Sequence, residues 1–343
     1  MDATSTFTIA ARAFAKHVAT HPLTSYTGIL SLHGYARLAI ITENLAVLDD
    51  CRSQLMPFVH GERTWRANFP NYFCGGNATA FLFMLGKLPE AEATLRHYAE
   101  DFFVAPRSHD GILRMPNAEQ ERVWIDTAFA VTPFMLFTGL AFGEERYVHA
   151  GFEQTEKMYS IFRDPVNGLL HQARGFTGPG IFSQDHWSRG NGWGMLALTE
   201  LVQYLPADHR DRPAAEAMFT DLVAACLRFQ DDQGMWHQEI TEHDSYVETS
   251  GTGLILYGIG VGLEKGLLST DIMAPFLRGL RGYMQYIHPD GTVYHTCRGC
   301  LNPGTGTIAD YKQRAAVLND SHAFGPVTLA FGQALALGID QLV

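Results

Sequence analysis

The segment from Gln184 to Gly194 contains the densest group of residues suited to chemistry. Trp187, Arg189 and Trp193 stand there at the start of a predicted helix, with His186 beside them. Arginine pairs with carboxylates, indoles stack on sugar rings, and the N–H groups of a helix start attract negative charge. The segment therefore predicts a site for an anionic sugar. The alternative is an ordinary tight turn with an Arg–Asp pair on the surface.

The glycines of this segment do not form a dinucleotide-binding loop. Gly190 and Gly192 are followed by Met195, where the fingerprint requires a third glycine, and no strand is predicted before them. We therefore expect no nucleotide cofactor.

Asp126 is the second candidate, and it stands at the beginning of a predicted helix between bulky apolar residues. As a plain N-cap, its carboxylate would only accept hydrogen bonds from the helix backbone. If it faces an aromatic-lined cavity instead, desolvation would raise its pKa and make it a proton donor, against the effect of the helix dipole. The residues alone leave both interpretations open.

A third segment, from Asp244 to Gly253, places Glu248 before a Ser- and Gly-rich helix start. It has Glu248 where a nucleophile elbow has serine, so we expect this carboxylate to cap the helix or support another residue. The chain has no His-Glu-x-x-His motif, and Cys297-x-x-Cys300 has no second cysteine pair. We therefore predict no metal site.

Helical periodicity dominates the chain, and strand-type alternation is short and confined to loops. We predict twelve helices, at 5–21, 28–43, 44–57, 75–87, 89–103, 124–141, 143–161, 190–205, 213–229, 246–265, 271–287 and 321–338. Asp/Gly turns recur between helix pairs roughly every 60 residues, which is typical of a helical-hairpin repeat. Six hairpins predict an all-α fold, a closed (α/α)6 barrel in one domain over 1–343. An open solenoid is the alternative, but neither end has a polar capping repeat.

The loops after these turns end in polar or aromatic side chains, namely Arg114, His171, His237 and His295, with Trp236 and Tyr294 beside them. Since loops carry function more often than helices do, one end of the barrel is predicted to hold a carbohydrate site. Alternatively, each histidine only satisfies the backbone of its own loop.

Composition and charge exclude other classes of protein. The 25 Lys+Arg and 36 Asp+Glu give a formal net charge of −11 without any basic run, so neither nucleic acid nor an anionic membrane is an expected partner. No apolar stretch approaches the ~20 residues of a membrane span, and no signal peptide is evident. Five cysteines, few and odd in number, fit free thiols in a reducing compartment, so we expect a cytoplasmic location.

Four motifs carry a resemblance to a known family. They are Trp124-Ile-Asp126, Trp187-Ser-Arg189-Gly-Asn-Gly-Trp193, Glu248-Thr-Ser-Gly251 and Asn319-Asp320-Ser-His322. In this order they resemble the unsaturated rhamnogalacturonyl hydrolases of glycoside hydrolase family 105 and, more distantly, the unsaturated glucuronyl hydrolases of family 88. The likeness covers roughly residues 70–340. It implies an (α/α)6 barrel, in agreement with the helix count.

The resemblance also implies a reaction. These enzymes hydrate the C4=C5 double bond of a 4-deoxy-4,5-unsaturated uronic acid, which lyases leave at the non-reducing end of oligosaccharides. A carboxyl group protonates C4 and assists water addition at C5, and the resulting hemiketal opens and releases the remaining saccharide. By this likeness Asp126 is the proton donor, and the substrate is bound by His171 and by the Trp187–Arg189–Trp193 group.

Two positions depart from the family pattern. Asn71 stands where family members carry a second carboxylate, and Arg114 stands where they carry a histidine. The predicted catalytic residues are thus Asp126 and Asn71. The predicted substrate-binding residues are Arg114, Trp124, His171, His186, Trp187, Arg189, Trp193 and Trp236.

Three other functions remain open from the sequence. The first is a conventional inverting glycosidase that pairs Asp126 with Asp185 or Glu248. The second is a sugar epimerase of the N-acylglucosamine type with two facing histidines, and the third is a non-catalytic saccharide-binding toroid. The expected partner is a short oligosaccharide with an unsaturated uronate end, bound by a monomer or homodimer.

Overall fold

Helices with the predicted periodicity account for most of the fold. The computed structural model describes residues 4–63, 69–114, 120–299 and 304–342. Its α-helices are α1 (Thr6–Thr20), α2 (Tyr26–Ile41), α3 (Leu45–Val59), α4 (Gly76–Met84), α5 (Glu92–Val104), α6 (Asp126–Phe142), α7 (Glu145–Phe162), α8 (Ser188–Tyr204), α9 (Arg212–Leu227), α10 (Thr249–Glu264), α11 (Met273–Met284), α12 (Ile308–Lys312) and α13 (Phe324–Ala336). The twelve predicted helices correspond to the twelve long ones, and the short α12 was missed.

Six of these helices form a closed inner ring. In order they are α2, α4, α6, α8, α10 and α13, each in contact with the next, and α13 closes the ring against α2. The others of the twelve, α1, α3, α5, α7, α9 and α11, pack outside them. The predicted (α/α)6 barrel is therefore confirmed.

The inner helices are buried on most sides, which explains their apolar and small residues. Their axes approach closely where glycines occur: a Cβ atom on Gly258 of α10 would lie 2.5 Å from Met195 of α8. A Cβ atom on Gly253 would lie 2.7 Å from Pro326 of α13. Side chains at these two positions would separate the helices that form the ring.

The recurring Asp/Gly turns join an outer helix to the next inner helix. In each turn one backbone N–H bonds the carbonyl four or five residues later: Ser108 to Ile112, Asp164 to Leu169, Asp231 to Met235 and His288 to Thr292, at 2.7–2.9 Å. The turn glycines have φ of 78° to 88°, the left-handed region that glycine adopts without strain. The repeat read from the sequence is thus a structural repeat, and it lies beside the N-termini of the inner helices.

Three two-stranded antiparallel sheets occur within the described ranges, all in loops as predicted. β1 (Thr4–Ser5) pairs with β6 (Gln341–Leu342), β2 (Val123–Trp124) with β3 (Ala173–Arg174), and β4 (Thr296–Cys297) with β5 (Ala316–Val317). The first joins the two ends of the chain, and the other two hold the loops that precede inner helices. No helix in the described part of the chain is long and apolar enough to cross a bilayer.

An ionic network crosses the interior of the barrel. The fully buried Glu200 accepts hydrogen bonds from His33 Nε2 at 3.0 Å, Tyr257 at 2.6 Å and Arg37 Nη1 at 3.3 Å. Arg37 also donates to the Tyr204 hydroxyl at 3.0 Å. The network joins α2, α8 and α10 through charged groups that are almost fully buried.

Candidate active site

The helix starts of the inner ring meet at one end of the barrel. Tyr26 begins α2, Asp126 begins α6, Arg189 is the second residue of α8, and Glu248 is the N-cap of α10. Unpaired N–H groups give each helix start a partial positive charge, so this end of the barrel favours a bound anion.

Asp126 is a partly buried acid rather than the N-cap of α6. The N-cap of α6 is Ile125, so Asp126 is the first residue of the helix, and its Oδ2 atom is buried without a hydrogen-bond partner among the described residues. Burial raises the pKa of Asp126 from 3.8 to about 6, although the charge of Arg189 and the interaction with Gln172 act to lower it. The N-cap interpretation is therefore wrong, and the carboxyl group can hold a proton near neutral pH.

Arg189 is fully buried and held at one edge of its guanidinium group. Nη1 donates to Ser250 Oγ at 2.7 Å and to the Cys297 carbonyl at 2.9 Å, and the guanidinium carbon lies 4.2 Å from the Trp187 ring centre. Nε and Nη2 are buried without partners in the described part of the chain. The interpretation of Arg189 as a surface arginine paired with Asp185 is therefore wrong, and the second edge of its guanidinium group is buried without a partner among the described residues.

Glu248 supports this arginine, as the sequence predicted. It lies 3.7 Å from Arg189 Nη1 and accepts bonds from the N–H groups of Ser250 at 3.1 Å, Gly251 at 2.6 Å and Cys297 at 2.9 Å. These bonds cap α10 and fix the loop that contains Cys297. The Glu248 carboxylate therefore has a structural role.

Asp185 is held in a similar way. It accepts bonds from the backbone N–H groups of Gln172 at 3.2 Å and Trp187 at 3.0 Å, which joins two loops. Neither Asp185 nor Glu248 is free to activate water as the second carboxylate of an inverting glycosidase.

Three tryptophan side chains belong to the candidate site, two of them buried and one half-buried. Trp187 lies under the Arg189 guanidinium, and Trp193 packs on Phe129 with ring centres 4.9 Å apart. Their Nε1 atoms are buried without partners within the described residues. Trp124 is half-buried and stacks on Phe176 at 4.9 Å. It lies in β2 rather than in the predicted helix, two residues before Asp126.

Asn71 contacts α6, the helix that Asp126 begins, and the backbone N–H of Arg114 bonds the Pro106 carbonyl at 3.1 Å in the loop before that helix. Asn71 lies in a short 3-10 helix, Pro70–Cys74, and its Nδ2 donates to the Ala130 carbonyl of α6 at 2.7 Å. Its Oδ1 and the Nε of Arg114 are buried without partners among the residues that the structure describes. An amide neither gives nor takes a proton at neutral pH, so Asn71 can only orient water or a hydroxyl group.

His171 and His186 lie on the reverse face of the loops that form the site. His171 Nδ1 contacts the Asp185 carbonyl at 3.0 Å, and His186 Nε2 lies 3.0 Å from Asp164. The next residue after His171, Gln172, interacts with Asp126, because successive side chains of an extended segment point to opposite faces. The two imidazole rings are 4.9 Å apart, but they face Asp164, which does not fit the epimerase alternative.

Trp236 is misassigned as a substrate-binding residue. It is fully buried in the hydrophobic core, and its indole N–H donates to the Cys226 carbonyl of α9 at 2.8 Å. An indole with its polar atom and both faces engaged in packing supports the fold.

The sequence did not assign roles to several residues that lie around the site. The Tyr311 hydroxyl donates to Gln172 Oε1, and His322 contacts both Asp320 and the Tyr26 hydroxyl. The pKa of Tyr72 is raised chiefly by burial and further by Tyr26 and Asp126, so Tyr72 lies near both. Of these residues, Asp320 and His322 could have been found from the sequence, as members of the Asn319–His322 motif.

The structure forms groups of possible metal ligands that spacing did not reveal. Asp164, His171 and His186 bring ligand atoms within 4.8 Å of one another, and two similar groups include exposed residues. None of the three groups contains Asp126 or Arg189. The expectation that catalysis needs no metal stays a prediction.

Comparison with known proteins decides the family. The model of Glycosyl Hydrolase Family 88 matches residues 6–337. The chain belongs to glycosyl hydrolase family 88. This confirms the resemblance inferred from the four motifs, which named families 105 and 88.

Two curated relatives match parts of this family 88 chain. It is 28% identical over 200 residues to the unsaturated rhamnogalacturonyl hydrolase YesR of Bacillus subtilis, covering 57% of this chain and 56% of that protein. It is 30% identical over 110 residues to an unsaturated 3S-rhamnoglycuronyl hydrolase of Formosa agariphila, covering 31% of this chain and 29% of that protein. The matches thus span little more than half of the first relative and less than a third of the second.

A solved structure shares the fold along nearly the whole family 88 chain. A family 105 glycoside hydrolase of C. acetobutylicum superimposes with a TM-score of 0.83 at 22% identity, covering 96% of this chain and 98% of that one. At this identity the likeness supports the fold class alone, and it agrees with the closed ring of inner helices.

Proposed function

We propose that this family 88 chain hydrates the C4=C5 double bond of a 4,5-unsaturated uronic acid at the non-reducing end of short oligosaccharides. The Asp126 carboxyl group carries the proposal, because desolvation raises its pKa to about 6 and keeps much of it protonated in mildly acidic solution. At an ordinary pKa of 3.8, only about 1% would be protonated at pH 6. Protonation of carbon requires such an acid held close to the substrate.

Arg189 supplies the local attraction for the uronate. The protein has a formal net charge of −11, so long-range steering opposes an anionic substrate. The free Nε/Nη2 edge of Arg189 can pair with a carboxylate in a bidentate way, and Trp187 behind it keeps the guanidinium plane fixed. The surrounding helix starts add partial positive charge.

These residues together define the chemical steps. Asp126 donates its proton to C4, and the positive charge that develops at C5 is shared with the ring oxygen. Water adds to C5 and loses a proton, giving a hemiketal that opens and releases the remaining saccharide. The names of both curated relatives specify unsaturated saccharide substrates, which supports this reaction. Cytoplasmic location and a monomeric or dimeric state stay predictions.

The direct test uses disaccharides made by polysaccharide lyases, one with an unsaturated galacturonyl end and one with an unsaturated glucuronyl end. We expect the ultraviolet absorbance of the conjugated alkene to disappear with at least one of them. The matched saturated disaccharides serve as the control. Cleavage of saturated substrates would instead indicate an inverting glycosidase, and binding without turnover would indicate a saccharide-binding toroid.

The pH dependence of catalysis should follow the raised pKa of Asp126. Because the protonated carboxyl group is the active form, kcat/KM should fall about tenfold per pH unit above pH ~6. An ordinary aspartate would begin to lose activity near its usual pKa of 3.8. Measurement of kcat/KM between pH 4 and 9 tests this prediction. A decline that begins near pH 4 would contradict the assignment of Asp126 as the proton donor.

Arg189→Lys should lower kcat/KM by about 5- to 150-fold. Lysine keeps the charge but cannot bond Ser250, the Cys297 carbonyl and a carboxylate in one plane, and a lost charge-assisted hydrogen bond is worth ~1–3 kcal/mol. Arg163→Lys is the matched control, because Arg163 makes a more exposed ion pair with Asp221. Wild-type kcat/KM in folded Arg189→Lys protein would place the uronate subsite elsewhere.

Activity should survive exhaustive chelation. Asp126 and Arg189 belong to none of the three groups of possible metal ligands, so removal of a divalent ion leaves the proposed acid and the anion site intact. The rate of alkene loss is measured before and after dialysis against EDTA. A loss that one particular divalent ion restores would show that the reaction depends on a metal.

A further inference from the structure

Two histidines and one aspartate converge behind the loops that form the candidate site. Asp164 belongs to the turn after α7, His171 follows in the segment that leads to β3, and His186 precedes α8. Their ligand atoms lie within 4.8 Å of one another, and His186 Nε2 is 3.0 Å from Asp164 Oδ2. Two imidazole nitrogens and a carboxylate oxygen form a donor set that zinc and related divalent ions favour.

The hydrogen bond of His171 determines which of its ring nitrogens can bind a metal. Nδ1 lies 3.0 Å from the Asp185 carbonyl oxygen, which can only accept a hydrogen bond. Nδ1 therefore carries the proton, and Nε2 keeps a lone pair. Histidine ligands of metals are typically held in this way, by a bond from the second nitrogen to a carbonyl or carboxylate oxygen. His171 is thus oriented as a ligand through Nε2.

His186 has a corresponding partner in Glu239. Nδ1 of His186 lies 3.6 Å from Glu239 Oε1, a separation that a small rotation of the ring closes. This Nδ1 and Oε2 of Glu239 are both buried without hydrogen-bond partners among the described residues. A proton on Nδ1 faces the carboxyl group and leaves Nε2 with a lone pair beside Asp164. Both histidines can therefore present Nε2 to one ion, with an oxygen atom behind each ring.

The spacing of these atoms is close to what a tetrahedral ion requires. Zinc bound at ~2.0–2.1 Å places its ligand atoms about 3.4 Å apart, so the widest separation in the group needs to close by at most about 1.4 Å. Asn167 Nδ2 lies 3.1 Å from both Asp164 Oδ2 and His186 Nε2, and this amide must turn outward when an ion binds. Water then supplies the fourth ligand. The neighbouring Val166 is exposed, so an ion has a path from solvent.

The two other groups of possible ligands are less suited to a metal of this kind. Each has a single histidine with two carboxylates, and each includes an exposed residue. In the first group, Asp110 and Glu121 are both paired with Arg174, whose positive charge opposes a bound cation. In the second, the exposed Glu145 lies 3.7 Å from Arg210. The group of Asp164 is the one with two histidines and no exposed member.

We propose that Asp164, His171 and His186 bind one divalent metal ion, with Zn²⁺ as the expected ion. The ion joins the turn after α7 to the segment before α8. Its ligands include neither Asp126 nor Arg189, so it stabilises the loops behind the site and takes no part in the reaction. Activity after chelation is therefore expected to persist, whereas resistance to unfolding is expected to fall. The inference replaces the expectation of no metal site, which rested on spacing along the chain, and it does not depend on the proposed reaction.

The test is a titration of the whole protein with Zn²⁺ alone after dialysis against EDTA. We expect calorimetry to show one tight site per chain, and the thermal unfolding midpoint to rise, because an ion that binds only the folded state stabilises it. His171→Ala should bind Zn²⁺ at least about 100-fold more weakly and lose the rise in midpoint. Asp164→Asn should also weaken binding, although its side-chain oxygen can still accept the bond from the Val166 N–H at 2.8 Å that holds the turn.

His109→Ala and His209→Ala are the matched controls, because each removes the single histidine of one of the other groups. Both should bind Zn²⁺ as wild type does. Binding that is lost in a control but kept in His171→Ala would place the ion in an exposed group and overturn the proposal. A wild-type protein that binds no Zn²⁺ and keeps its unfolding midpoint also overturns it, since Asp164 and His186 would then form an ordinary ion pair.

Discussion

Replacement of Asp126 by asparagine is expected to reduce turnover of the unsaturated disaccharide by at least ~10²-fold. The amide has nearly the same shape as the carboxyl group but has no acidic proton to give to C4. Oδ2 of Asp126 has no partner within the described residues, and the carboxyl group interacts only weakly with its own backbone N–H and with the Gln172 side chain, both of which lower its pKa. The amide oxygen of asparagine can keep both interactions, so the substitution removes the acid with little change in the local structure.

The fold of Asp126→Asn should be unchanged, and circular dichroism with thermal unfolding checks this before kinetics are compared. Asp221→Asn is a matched control, since that carboxylate is partly exposed and pairs with Arg163 on the outside of the barrel. Substrate binding by Asp126→Asn should persist, because Arg189 remains. A folded variant that retains most of its activity would rule out Asp126 as the proton donor.

Replacement of Glu200 by leucine is expected to destabilise the protein by about 3–5 kcal/mol. Removal of one member of a buried ion pair leaves the other charge without compensation, here Arg37 inside the barrel. Although burial alone would raise the pKa of Glu200, Arg37 and His33 lower it. The carboxylate therefore contributes stability above its ordinary pKa of 4.5, and this contribution is lost as the pH falls.

Chemical denaturation measures the effect of Glu200→Leu as a lower unfolding midpoint. The double variant Arg37→Met/Glu200→Leu is the informative control, because removal of both charges leaves no unpaired ion in the interior. We expect the double variant to be more stable than Glu200→Leu alone. A wild-type midpoint for Glu200→Leu, or additive losses in the double variant, would show that the network does not stabilise the barrel.

The sequence by itself determined the helices, their pairing into hairpins and the family. Helical periodicity and Asp/Gly turns depend on residues that are near neighbours in the chain, so twelve long helices could be placed without tertiary information. The motif around Arg189 was also recognisable, because its members lie within one helix start. Glu248 was correctly interpreted as a cap for the same reason.

The tertiary structure decided which residues form the site. Whether Asp126 caps a helix or holds a proton depends on burial by elements distant in sequence, and burial sets its pKa. Similarly, one residue of register in an extended loop turns His171 away and brings Gln172 toward Asp126. Trp236 is of a residue type that is common in sugar-binding sites, but its packing against α9 places it in the core.

Tyr26 and His322 are 296 residues apart and meet only because α13 closes the ring against α2. Local patterns follow from neighbouring residues, whereas burial, charge and proton transfer depend on atoms that other elements bring into contact.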